Sequence, residues 1–183
     1  MKRRLAILLP LFLATGGVAS AEVTHQSGSP DAVAQKEARA LNDVAASFLN
    51  KGKIDQAIEV FTKAIARDPN SSFAFYNRGT AYALRKELNR AIEDYSYAVR
   101  IDPEFALAFM NRGVAYSMES KFVDALNDLN KAVELEPGRV DSYYNRALVF
   151  TKLGQLAEAA KEPSSSIVVT LSYTSPELRS GKN

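Results

Sequence analysis

Three asparagines, Asn77, Asn111 and Asn145, stand 34 residues apart, and each is followed by an arginine: Arg78, Arg112 and Arg146. A side-chain amide carries two N–H donors and a carbonyl acceptor, so a row of them can bond a peptide backbone without reading its side chains. A guanidinium can grip a carboxylate or another anion with two parallel N–H bonds. Catalytic sets are harder to assemble. The 183-residue chain has one His, His25, and no Cys. That leaves no His pair or thiolate for a metal, no thiolate nucleophile and no disulfide. The acidic pair Glu93-Asp94 falls where a solvated helix face is expected, and no glycine-rich phosphate loop precedes a helix. The chemistry on offer is recognition, and neither an enzyme nor a cofactor or metal is expected.

The same 34-residue spacing organises most of the chain. Asp68-Pro69, Asp102-Pro103 and Glu136-Pro137 recur at it, as do the small columns Ala57/Ala91/Ala125/Ala159 and Ala64/Ala98/Ala132. Large residues form columns too: Leu41/Phe75/Phe109/Tyr143, Phe48/Tyr82/Tyr116/Phe150 and Phe61/Tyr95/Leu129. Within a unit, Phe75, Gly79 and Tyr82 share one helical face, and Ala91, Tyr95 and Ala98 share a face of a second helix. Gly79 set against Ala91 would let two antiparallel helices approach closely, with aromatics filling the space on either side. One such pair buries too few large side chains to stand alone, so neighbouring pairs must stack into a continuous core. Each Asp/Glu-Pro ends a second helix, because the residue before Pro is pushed out of the α region.

These columns resemble the tetratricopeptide repeat (TPR) family from Ala38 to about Glu162. The resemblance implies an all-α, right-handed α-solenoid of antiparallel helix pairs, with three full repeats and part of a fourth. The units are 38–71, 72–105, 106–139 and 140–162, preceded by a flexible lead-in and helix start at 22–37. Helices are expected near 31–50, 54–67, 72–86, 88–100, 106–119, 122–135, 140–153 and 155–162, the first capped by Ser29-Pro30-Asp31. Pro163 falls in the column that otherwise holds Phe61, Tyr95 and Leu129, and should stop the last helix near Glu162. Residues 163–183 lose the repeat. Ser164-Ser165-Ser166 reads as loop and Ile167 to Tyr173 as a short β-prone run. A poorly ordered tail, the remnant of a frameshift in a longer array and a strand that pairs with a partner all fit that composition.

The start of the chain reads as an export signal. Lys2, Arg3 and Arg4 precede an apolar run from Leu5 to Val18, and Ala19-Ser20-Ala21 offers a small-x-small cleavage pattern before Glu22. The run is too short to cross a bilayer, so no membrane insertion is expected after cleavage, and without Cys there is no lipid attachment site. The expected destination is the periplasm of a bacterial envelope. Cleavage removes three bases and no acid, leaving 20 Lys and Arg against 21 Asp and Glu. Nothing in that balance attracts nucleic acid.

In the TPR arrangement the first helices line the concave side. Its expected ligand residues are Phe73, Tyr76, Asn77 and Thr80, then Leu107, Met110, Asn111 and Val114, then Tyr144 and Asn145. Leu84, Met118, Asp141 and Leu148 share their faces. The resemblance implies that the asparagines grip the backbone of a protein or peptide partner; bridging between neighbouring helices is the competing role. Chaperone-binding relatives hold a C-terminal carboxylate with a clamp of Lys, Asn and Arg. Here only Asn77 matches that clamp, the other places being Asn42, Ala46, Leu107 and Asn111. A terminal carboxylate should not be preferred. The arginines are expected to pair with Asp94 and Asp128 inside each repeat, contributing little as partly exposed pairs. The functional expectation is a scaffold for an extended segment. A structural or assembly module acting or dimerising through the uncapped C-terminal end, and a truncated array of reduced function, are the other expectations.

Overall fold

The computed structural model describes residues 29–163. The segment expected to be an export signal, most of the lead-in and the tail beyond Pro163 lie outside the described residues. Eight helices follow in order: α1 Pro30–Asn50, α2 Ile54–Arg67, α3 Ser72–Leu84, α4 Leu88–Ile101, α5 Ala106–Met118, α6 Phe122–Leu135, α7 Val140–Lys152 and α8 Leu156–Ala159. α1 starts as its sequence directs. The Ser29 hydroxyl accepts from the Ala32 N–H, and Pro30 occupies the first turn, where its missing N–H costs nothing.

Each odd helix packs against the even helix that follows it, and the pairs stack in chain order. The first helices also touch one another, α1 on α3, α3 on α5 and α5 on α7, while no comparable contact joins the second helices. The first helices therefore line the inner side of the stack. Small residues set the pair spacing: Ala57, Ala91, Ala125 and Ala64 are fully or nearly fully buried. A Cβ placed on Gly79 would lie 3.0 Å from the Tyr95 ring and 3.2 Å from the Ala91 carbonyl oxygen. The Gly79–Ala91 approach expected from the columns is present, and the large neighbour that enforces it is Tyr95.

Four helices end short of expectation. α3, α5 and α7 end one or two residues early, and α8 stops at Ala159, three residues before Glu162. Its last N–H groups, of Lys161 and Glu162, bond three residues back to Glu158 and Ala159, a tightened final turn ahead of Pro163. The early ends of α3 and α5 reflect a left-handed turn residue. Gly52, Lys86, Ser120 and Gly154 recur every 34 residues with φ of 71°, 62°, 60° and 72°. Glycine takes this conformation freely, whereas a side chain there costs about 1–2 kcal/mol. Glycine also loosens the unfolded chain by about 0.4–1 kcal/mol. Lys86→Gly and Ser120→Gly should each raise stability by about 0.5–1 kcal/mol, read as a higher urea midpoint at unchanged slope. A lower midpoint for both would show that the two side chains make contacts worth more than their strain.

The arginine row ties three helices at once. Arg78 grips Asp94 with Nε and Nη2, both at 2.8 Å, and its Nη1 reaches Thr62 Oγ1 at 3.1 Å. Arg112 repeats this with Asp128 at 2.7 and 2.8 Å and Ser96 at 3.1 Å. The expected pairs with Asp94 and Asp128 are present, and each arginine also reaches back to the second helix of the preceding repeat. The third case was not legible in advance. Arg146 binds Glu162 at 2.6 and 2.9 Å and Asn130 at 2.8 Å. Glu162 stands 34 residues after Asp128, so the repeat's electrostatic register continues to the last residue before Pro163.

Candidate peptide-binding groove

The inner face is built on α3, α5 and α7, and its asparagines have partners that follow a rule. Asn77 Nδ2 donates to Asn42 Oδ1 at 3.0 Å, and Asn111 Nδ2 donates to the Tyr76 hydroxyl at 3.1 Å. In each case the acceptor lies 35 residues earlier, on the preceding first helix. For Asn145 that place holds Met110, whose thioether is a weak acceptor, and the Asn145 side chain makes no hydrogen bond among the described residues. Bridging and binding are thus not exclusive. Two of the amides use one N–H to bridge helices, and the third is uncommitted.

Tyrosine hydroxyls form the floor. Tyr95 Oη donates to Thr80 Oγ1 at 3.2 Å, and that hydroxyl donates to the Tyr76 carbonyl at 3.0 Å. Burial pushes the Tyr95 hydroxyl up to about 12, so it stays a neutral donor at any working pH. Tyr76 packs its ring against Tyr95 and Phe105, with centroids 5.9 and 4.9 Å apart, and Phe73 lies 4.9 Å from Phe105. Phe105 was missed by the sequence reading. It sits just before α5, where the preceding repeat has the capping Ser71, and periodicity within a helix does not reach it. The signal available was an aromatic residue in a cap column.

The expected ligand residues divide into four groups. Thr80, Asn111 and Val114 come together, with Leu84, Leu88 and Met118, around a cavity of about 220 Å³ between α3 and α5. Phe73 is 62% exposed and lines a separate polar hollow with Arg39, Asn42 and Asp43. Tyr76, Asn77, Leu107, Tyr144 and Asn145 are half-buried. Met110 is a correction. It is 9% exposed and packs with Leu129, Ala132 and Val149, because its face of α5 is covered by the neighbouring repeat. It belongs to the core and is withdrawn from the ligand surface.

Burial pushes the Asp94 and Asp128 carboxyls above the ordinary carboxylate range, and the guanidinium beside each pulls them only part of the way back. The arginines are committed to these acids and to neighbouring helices.

Among solved structures, the chain is similar to the first TPR of Spaghetti (RPAP3) bound to the HSP90 peptide SRMEEVD. The identity is 27% and the TM-score 0.64, over 66% of this chain and 95% of that one. It is also similar to the first TPR domain of the human RPAP3 protein, at 26% identity and TM-score 0.64, over 68% and 98% of the two chains. MamA 41-end from Desulfovibrio magneticus RS-1 shares the fold at 22% identity and TM-score 0.66, over 81% and 89%. No curated protein matches. Tetratricopeptide repeat models match residues 42–106 and 129–161, together more than half of the sequence. With the helix pairs and the 34-residue columns beneath those matches, the chain belongs to the tetratricopeptide repeat family.

Proposed function

We propose that the chain is a non-catalytic adaptor that holds an extended protein segment along the face of its first helices. The observation that carries this reading is the amide row, Asn77, Asn111 and Asn145, running past exposed Phe73, Leu84 and Met118. Such a row can bond main-chain N–H and C=O groups while apolar side chains settle beside it. The RPAP3 domain that is similar over most of its length carries a bound peptide, which supports the class of ligand. An adaptor of this kind would work in the periplasm after cleavage at Ala21. N-terminal sequencing of the exported protein should then begin at Glu22.

Asn145→Ala is the cleanest test, because that amide spends nothing on the fold. It should weaken capture of partners from an envelope extract with the melting temperature unchanged. Asn77→Ala with Asn111→Ala should abolish capture, at a stability cost of about 0.5–1.5 kcal/mol for each lost bridge. Full capture by the triple variant would refute the groove. The peptide SRMEEVD, compared with its C-terminal amide by titration calorimetry, checks the missing clamp. Loss of a charge-assisted bond would separate the two by about tenfold or more, and near-equal affinity is expected here.

A second reading is favoured by one feature. α8 is four residues long, and Leu153 just ahead of it and Leu156, its first residue, are 39% and 63% exposed, an end on which another repeat or a second copy could stack. Gel filtration of Leu156→Glu against the parent chain tests it, and a dimer in the parent that dissociates in the variant would support it.

A further inference from the structure

The two edges of the solenoid differ in charge. At the turns from first to second helix, with the helix residue before each, stand six cations, Lys51, Lys53, Arg85, Lys86, Lys121 and Lys152, against Glu87 and Glu119. At the opposite turns, residues 68–71, 102–105 and 136–139, again with the helix residue before each, stand Asp68, Asp102, Glu104 and Glu136 against Arg67 and Arg139. On the basic edge Glu87 is spent on Arg85 and Arg90, and Arg85 in turn is spent on Glu87 and on Asp55 of α2, while Lys86 and Lys121 make no ion pair among the described residues.

The apolar cavity between α3 and α5 opens onto this same edge. Leu84 is the last residue of α3, Leu88 the first of α4 and Met118 the last of α5, and Leu84 and Met118 are each 57% exposed. Lys86 stands in the turn between Leu84 and Leu88. It holds its left-handed conformation there although glycine occupies the same place in the first and fourth repeats. The two central repeats thus keep a strained side chain in the turns that follow the cavity residues Leu84 and Met118, and the outer repeats do not, which is the pattern of strain held at a working surface.

We propose that this edge receives an internal acidic segment of a protein partner, with one aliphatic side chain seated in the cavity and carboxylates of the same segment meeting Lys86 and Lys121. The apolar lining selects the side chain, and the excess of cations selects its flanks and steers the encounter. This rests on the groove reading, since Thr80, Asn111 and Val114 line the cavity as well as the groove, and it names the chemistry that the groove reading leaves open.

The test starts from a random dodecapeptide library displayed on phage with no free C-terminus, selected against the mature protein. Enriched sequences should place Leu, Met or Ile next to Asp or Glu, and the best of them, synthesised with blocked ends, should bind more weakly as salt rises. Against that peptide Lys86→Gly, a variant expected to be more stable than the parent, should lose severalfold in affinity, and Leu84→Ser with Met118→Ser at least tenfold. Neutral or basic enriched sequences, or unchanged affinity in these variants, overturn the proposal. If Asn145→Ala and the Asn77/Asn111 double variant abolish binding while the edge variants do not, the groove stands and the edge falls. The reverse result keeps the edge and removes the amide row, and no enrichment at all overturns both.

Discussion

Asp128→Ala is expected to cost about 3 kcal/mol, near the lower end of what breaking a buried ion pair costs, and to lower the melting temperature by roughly 10 °C for a domain of this size. The reason lies in what is left behind. The Asp128 side chain is 9% exposed and that of Arg112 is 16%, so alanine would strand a guanidinium with only Ser96 to satisfy it. The loss should be concentrated around α5, α6 and the end of α4, which hydrogen exchange would resolve as lost protection in those helices before α1 and α2. The pair itself adds little. Because burial raises the Asp128 carboxyl, its folded-state value lies above the unfolded one, and ionising it costs the fold stability. That cost is present in full above the folded value and fades as the pH falls towards the unfolded value of about 3.9. Arg112→Met combined with Asp128→Leu should therefore be far milder than either single removal. A double variant as unstable as Asp128→Ala would show that the pair stabilises and does not merely fix register.

The parts of the molecule that were legible in the sequence are those that each repeat must solve in the same way. Gly79, Tyr95 and the alanine columns face the same packing problem in every pair, so their types recur and reveal the helices to within one to three residues. What depends on the neighbouring repeat was harder to see. Met110 lies on a face that one helix alone would give to solvent, yet α6 and α7 cover it. The asparagines look like a free row until their acceptors, Asn42 and Tyr76, are found on the preceding helix. Glu162 was in the right column, but it differs in length from Asp94 and Asp128 and stands beside a helix-breaking Pro163. The turn column Gly52/Lys86/Ser120/Gly154 was readable at the same offset, and its two glycines were the sign of a left-handed position.

Leu129→Ala should cost about 2–5 kcal/mol as a large-to-small change in a closed core, and the more informative measurement is its coupling to Gly113→Ala. Leu129 is fully buried, and a Cβ on Gly113 would come within 2.9 Å of its Cγ and 3.1 Å of the Ala125 carbonyl oxygen. Alanine in a helix is favoured over glycine by about 1 kcal/mol, but overpacking of this kind costs about 1–3 kcal/mol. Gly113→Ala alone should therefore be a net loss of about 1 kcal/mol. With Leu129 cut back to alanine the new methyl enters the space its Cγ vacates, so the double variant should be more stable than the sum of the singles by about 1 kcal/mol. Gly79→Ala should be milder than Gly113→Ala, because the nearest atoms at 3.0 Å belong to the flat ring of Tyr95, which can slide, whereas Leu129 branches at the contact. The first repeat already runs this arrangement, with Ala45 and Phe61 both fully buried in one cluster. The fourth has Ala147 where Pro163 replaces the large residue of the column. Simple additivity in the cycle would mean that α5 and α6 separate freely. The pair spacing would then be set elsewhere than at Gly113, and the fold's central repeat would owe its closeness to the Arg112 tie.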